Sequence, residues 1–220
     1  MANMRVGQRR ELLLTAGIRV IARDGLDAAS TRAVVAEAEM PLASFHYAFA
    51  SREDFLAELV SRLIVAPMVP PGSPLAPTPD FTAAVRRLIV LVAENDVERA
   101  RVRQELALHA SHHPGLRALA RTGLSRARER VAGRLVEAAD QHGMAWRVDP
   151  DELAGVITAW ARGQVLARVY SSIPIGVPAE DNPAAETLTG LIVSAARPQR
   201  EDGASVGTAS DDLRAVKVDP

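Results

Sequence analysis

Between Met40 and Glu53 the chain carries Leu42, Ala43, Ser44, His46 and Tyr47, interrupted by Phe45 and followed by Phe49. On a helix the two phenylalanines anchor one face and leave the other five residues outward. A surface of small and hydrogen-bonding side chains suits the major groove of double-stranded DNA, where a helix must approach base edges closely. Helix starts at Thr31, after Ser30, and at Ser51 offer free N–H groups and a positive dipole end, and Arg32 and Arg52 stand in those first turns, placed for phosphate oxygens. Arg5, Arg9 and Arg10 form a leading arm that extends the same footprint. Short helices with arginine at their ends also occur in helical domains that read no nucleic acid, and Tyr47 is equally readable as a partly buried hydrophobe with a wet hydroxyl. Charge does not separate the two readings. Arginine and acidic residues balance at eight each in residues 1–62, and the whole chain has a formal net charge of −1.

Other chemistry finds less support. His109, His112 and His113 cluster at a helix end, and histidines one turn apart can hold a metal. With no cysteine in the chain and no paired carboxylate beside them, no metal site is expected. A helix C-terminus favours histidine for its own reasons. Arg117, Arg121, Arg126, Arg128, Arg130 and Arg134 would suit an anion, but they do not share one helical stripe and fit a solvated face with snorkelling stems. No catalytic grouping and no cofactor motif is present, so an enzyme is not the expected reading.

These residues must be positioned by helices. Alternating strand patterns are nearly absent and helical periodicity dominates, so the expected fold is all-α with about nine helices. Leu13, Ala16, Gly17, Val20 and Ile21 make one face of the first helix, which Gly25 stops. The second runs from Thr31 to Ala38, and Pro41 opens the third after a turn too short to let the two lie parallel, as in a helix-turn-helix. The fourth begins at Ser51 with Asp54 three residues on, the spacing of a capping box. Six prolines between Pro67 and Pro79 forbid a helix there. Further helices are predicted over Phe81–Glu94, Val97–His112, Pro114–His142, Pro150–Tyr170 and Pro183–Ala196. The predicted organisation is a helix-turn-helix domain over 1–66, a Pro-rich linker over 67–79, an effector-binding and dimerisation domain over 80–197, and a disordered tail over 198–220. No uncharged apolar run reaches membrane-spanning length and no secretory segment opens the chain, so a cytoplasmic location is the default expectation.

Residues 9–60 resemble the DNA-binding domain of TetR/AcrR-type (tetracycline-repressor) regulators. The resemblance runs through Arg10, Leu14, Ala16, Gly25, Leu26, Ser30, Val34, Ala38, Met40, Ser44, Phe45, Phe49, Ser51, Arg52, Glu53 and Leu56, with Met40 to Glu53 as its most specific stretch. It implies that Ser44, His46 and Tyr47 touch DNA and that Arg52 replaces the usual phosphate-binding lysine. Three positions depart from the family pattern. Glu39 stands where glycine is usual in the turn, and left-handed geometry there would cost on the order of 1 kcal/mol. Val35 replaces the usual alanine. His46 and Tyr47 invert the usual order of a tyrosine and a polar residue, which leaves open which of them meets phosphate.

Behind the reader, Gly155, Ala159, Gly163 and Ala167 recur every four residues, and the last helix presents Leu188, Leu191, Ile192 and Ala195. Such stripes fit either close packing within the monomer or pairing with a second copy; the resemblance implies a four-helix dimer bundle. A homodimer would set two readers one helical turn apart on a palindromic operator. A small-molecule pocket is expected between the fifth and eighth helices, with Ile89, Ala93, Leu106, His109, Leu124, Trp146, Trp160 and Gln164 as candidate wall. The expected function is a repressor that releases its operator when a small molecule binds. The alternative is a helical enzyme or small-molecule carrier with a vestigial reader.

Overall fold

A computed structural model describes residues 6–65, 77–93, 96–170 and 182–199. Nine α-helices run through them: α1 (Val6–Asp24), α2 (Thr31–Glu37), α3 (Leu42–Ala48), α4 (Arg52–Val60), α5 (Phe81–Val92), α6 (Val97–Ser111), α7 (Pro114–Gln141), α8 (Pro150–Tyr170) and α9 (Pro183–Ser194). A 3₁₀ turn over Leu26–Ala28 joins α1 to α2, and a π-turn over Ser61–Val65 ends α4. Residues 200–220 of the predicted tail and most of the Pro-rich linker lie outside the described residues, while Pro198, predicted in the tail, belongs to a short strand.

Local chemistry explains most boundaries. Ser30 Oγ accepts from the Ala33 N–H at the start of α2, and Ser51 Oγ accepts from the Asp54 N–H at the start of α4. The return bond of the box goes one residue further back than expected, from the Ala50 N–H to Asp54 Oδ2 at 3.2 Å. Pro41 serves as the N-cap of α3, with extended geometry, and is not its first helical residue. Asp80, Asp96 and Asn182 cap α5, α6 and α9.

Two short strands were not anticipated. β1 (Met144–Trp146) pairs antiparallel with β2 (Ala196–Pro198), Ala145 opposite Arg197. Three residues are too few to show a period, and their partners are some fifty residues apart in the chain, so no local signal marks them. α9 accordingly stops at Ser194, two residues before the predicted end, because Ala196 is drawn into the pair.

The buried residues form two cores, and the division does not follow the linker. The first gathers α1–α4 with Val102, Leu106 and Ala110 of α6 and Leu116 and Ala120 of α7. The second joins α5, the later half of α7, α8 and α9. Helix α7 passes through both. At Gly123 it lies so close to the end of α4 that an added Cβ would stand 2.7 Å from the Ile64 carbonyl oxygen. The reader therefore completes its core with side chains of α6 and α7, from beyond the linker.

The turn between α2 and α3 contains the sole non-glycine residue with positive φ among the described ones, Glu39 at 53°. The family's glycine is thus replaced at a position that does need left-handed geometry. Glu39→Gly is expected to raise stability by about 0.5–1 kcal/mol, the difference between relieved strain and added chain entropy. A denaturation midpoint that falls would show that the glutamate side chain contributes more than its backbone costs.

Candidate nucleic-acid interface

α3 is short, and its orientation depends on an aromatic cluster beneath it. Phe45, Phe49 and Phe55 are buried with ring centroids 5.1–5.4 Å apart. Phe55 in turn fills the space left by Gly17 on α1, where an added Cβ would meet the Phe55 ring at 2.3 Å. With that face held down, Leu42, Ala43, His46 and Tyr47 are exposed and Ser44 is half-buried at the edge. The outward surface expected for a groove-reading helix is present, and Tyr47 is 73% exposed.

Arginines from α1 support this surface in two ways. The Arg9 guanidinium lies over the Tyr47 ring, 5.7 Å from its centroid, so cation and phenol stand side by side at the C-terminal end of α3. Arg10 does not extend the arm outward as expected. Its Nη1 donates to the Ala48 carbonyl at 2.6 Å, its Nη2 pairs with Glu58 at 2.8 Å, and its guanidinium covers the Phe49 ring at 4.5 Å. It ties α1, α3 and α4 together and satisfies a terminal carbonyl of α3. Arg5 lies outside the described residues.

The residues placed at helix starts divide. Arg32 is exposed in the first turn of α2, beside half-buried Thr31, with Ser30 committed to its capping bond. Arg52 is turned inward, contrary to the expectation of a phosphate clamp: Nε donates to the Ala29 carbonyl and Nη2 to the Leu26 carbonyl, each at 3.1 Å. Arg52 thus bonds two carbonyls of the loop between α1 and α2 from α4 and braces the reader from below. Next to it, Glu53 is held below the usual carboxylate range by its own backbone N–H and by the Ser51 hydroxyl.

The candidate effector residues are spread over both cores. Leu106 belongs to the first core and Leu124 packs against it. Ile89 belongs to the second core, and Trp146 and Trp160 pack against that one. Trp146 Nε1 donates to the Leu135 carbonyl at 3.1 Å and its ring lies 5.4 Å from Phe81, which makes it a structural residue of the β1 corner. Ala93 is buried at the end of α5. Gln164 accepts from Asn182 at 2.8 Å. Leu106 and Leu124 thus side with the first core, and Ile89, Trp146 and Trp160 with the second.

His109 faces the reader. Its ring stacks on that of His113 at 4.0 Å, and His113 Nδ1 lies 2.9 Å from the His109 carbonyl. Burial pushes the His109 pKa below the ordinary 6.5, with further lowering from His113 and Arg52 that Asp27 partly opposes. A histidine with a lowered folded-state value contributes stability that is complete above its ordinary value and is lost as pH falls through the lowered one. Thermal unfolding is therefore expected to shift to lower temperature between pH 7 and pH 5, with His109→Gln flattening part of that slope. An unchanged slope in the variant would assign the effect elsewhere.

The stripe proposed for dimerisation is only partly open. Ala159, Gly163 and Ala167 are exposed, flanked by Val156 and Leu166, and Leu191 of α9 is 64% exposed. Gly155 is covered by the chain itself, since an added Cβ there would meet the Arg128 guanidinium at 3.3 Å. Leu188 and Ile192 are core residues and not open positions of the stripe, buried in the second core where α9 packs on α5, while Ala195 is half-buried beside them. The missed contributor is Glu105, whose carboxylate accepts from the Leu26 N–H at the entry to α2. It did not stand out, because a charged residue on an amphipathic helix looks the same whether it is solvated or bonded to a distant segment.

Comparison with known proteins agrees with this geometry. Residues 13–59 match the model of bacterial regulatory proteins of the tetR family, and residues 76–196 match a tetracyclin repressor-like C-terminal domain. The HTH-type nicotine-responsive transcriptional repressor HdnoR of Paenarthrobacter nicotinovorans is 32% identical over 139 residues, 60% of this chain and 69% of that protein. Among solved structures, a transcriptional regulator from Rhodococcus sp. Rha1 superposes with a TM-score of 0.69 at 21% identity, covering 85% of this chain and 97% of its own. One from Streptomyces coelicolor A3(2) gives 0.56 at 25% identity, covering 86% and 98%. With a reader built from α1–α4 and helices α5–α9 behind it, both matched by models of the same family, the chain belongs to the TetR family of bacterial transcriptional regulators.

Proposed function

We propose that this regulator is a homodimeric repressor that holds a palindromic operator through α3 of each copy and releases it on binding a small organic molecule. The observation that carries the reading is the outward face of α3, where Leu42, Ala43, His46 and Tyr47 stand exposed over a rigid aromatic base. One such helix contacts too few bases to be selective, and pairing of two copies multiplies the contacts. The open stripe of Ala159, Gly163, Leu166 and Ala167 with Leu191 is the surface we assign to that pairing. The relative HdnoR is by its name responsive to nicotine, which supports a small organic effector as the class here. The chain then acts in the cytoplasm by binding and not by turnover. The test is a gel-shift titration against the duplex flanking its own gene at increasing salt. Binding should weaken steeply, by orders of magnitude between about 50 and 200 mM salt if six or more phosphates are contacted. Weak binding that is indifferent to salt would sink the reading.

A further inference from the structure

Leu26, in the turn that leads from α1 into α2, is gripped on both sides by charged groups. Its carbonyl accepts from Arg52 of α4, and its N–H donates to Glu105 Oε2 of α6 at 2.8 Å. The second oxygen of Glu105 pairs with Arg101 at 3.1 Å, one helical turn earlier. Gly25, just before Leu26, has φ of 87°, and an added Cβ there would lie 3.8 Å from the same carboxylate. Ser30, the cap of α2, follows four residues later. The entry to the helix-turn-helix is thus held by a side chain that belongs, by sequence, to the other domain. Its neighbours reinforce the placement. Leu106 is fully buried in the reader's core, and Gln104 Nε2 donates to the Arg162 carbonyl on α8 at 2.7 Å. At three consecutive residues α6 is tied to the reader turn, the reader core and α8.

We propose that Glu105 is a positioning residue for DNA reading: its carboxylate sets where the Leu26–Ala28 turn, and with it α2 and α3, stand. The proposal rests on the DNA-reading function above and names the contact by which α6 holds the turn. A charge-assisted bond to a backbone N–H is among the stronger hydrogen bonds and fixes a main-chain atom, not a mobile side chain.

The sign of the effect separates positioning from charge. Removing a carboxylate from a DNA-binding protein should strengthen phosphate attraction, whereas losing a positioning contact should weaken binding. The full-length chain is compared as wild type, Glu105→Met, Glu105→Gln and Arg101→Met. Methionine keeps the stem and lacks the acceptor; glutamine keeps an acceptor and loses the ion pair. Two readouts are used: affinity for the duplex flanking its own gene, and amide hydrogen exchange over residues 26–37. Glu105→Met should lose about tenfold in affinity and exchange at least tenfold faster over that segment. Glu105→Gln and Arg101→Met should stay within about twofold of wild type in both. If Met and Gln variants behave alike, or if Met binds more tightly with unchanged exchange, the proposal is overturned. Should wild type fail to bind DNA, the functional reading falls, while exchange still decides whether Glu105 holds the turn.

Discussion

Tyr47→Ala lowers affinity for operator DNA by about tenfold to a hundredfold and leaves the melting temperature of the free protein unchanged. The ring is 73% exposed and adds nothing to the aromatic cluster below it, so its removal should alter stability by no more than about 0.5 kcal/mol. Each copy of the chain would lose one hydrogen bond from the phenol, worth a net ~0.5–1.5 kcal/mol, and a dimer loses two. The ring is also the platform on which the Arg9 guanidinium rests, 5.7 Å from the centroid. Without it that arginine regains rotamer freedom before meeting phosphate, a further loss of the same order as an exposed cation–π contact, ~0.5–1 kcal/mol. Tyr47→Phe separates the two contributions. If Phe binds as wild type and Ala does not, the ring acts by holding Arg9; if Phe is as weak as Ala, the hydroxyl makes the contact. Wild-type affinity in the alanine variant, measured at the same salt, would remove Tyr47 from the interface. His46→Ala, titrated against the same duplex and a base-substituted one, then shows which neighbour reads base, by lost discrimination, and which meets phosphate, by uniform weakening.

Phe55→Ala costs about 3–5 kcal/mol of stability, the range for a large buried aromatic truncated in a close-packed core. Phe55 has no exposed surface, touches both Phe45 and Phe49, and occupies the notch at Gly17. Neighbours cannot easily collapse into the void, because Phe45 is fixed by its place on α3 and Phe49 by its place at the end of that helix. For a chain of this length the loss corresponds to a fall in melting temperature of roughly 6–20 °C. The effect should be concentrated in the reader and in the parts of α6 and α7 that share its core. A loss under about 1 kcal/mol by chemical denaturation would mean that the cluster is not the foundation of α3. Phe55→Leu, which refills most of the volume, should recover more than half of the loss.

The helix boundaries were legible in the sequence to within a residue or two, and the reasons are local. Ser30 and Ser51 cap the helices that follow them, Gly25 and Gly143 take positive φ where helices stop, and Pro114, Pro150 and Pro183 stand at helix starts. The division of α3 into an inward and an outward face was legible too, since Phe45 within the helix and Phe49 just after it anchor the same side. Less visible were the roles of charged residues. Arg10, Arg52 and Glu105 all look like surface residues of amphipathic helices, and all three are bonded to atoms of segments far away in the chain. The apolar stripe of α9 was equally ambiguous: Leu188 and Ile192 are buried by α5, while Leu191, one step round the helix, is open.

What the chain determines by itself, then, is where helices begin and end and which short helix carries a groove-compatible face, because caps, prolines and residue periodicity act within a few residues. What only the tertiary structure decides is the partner of each exposed-looking charge and the cover of each apolar stripe. A guanidinium or a carboxylate has the same local signature whether it meets water, phosphate or a distant carbonyl or amide. Its use depends on which backbone groups the packing of α4 and α6 brings within about 3 Å, and that choice is made only when both cores have closed.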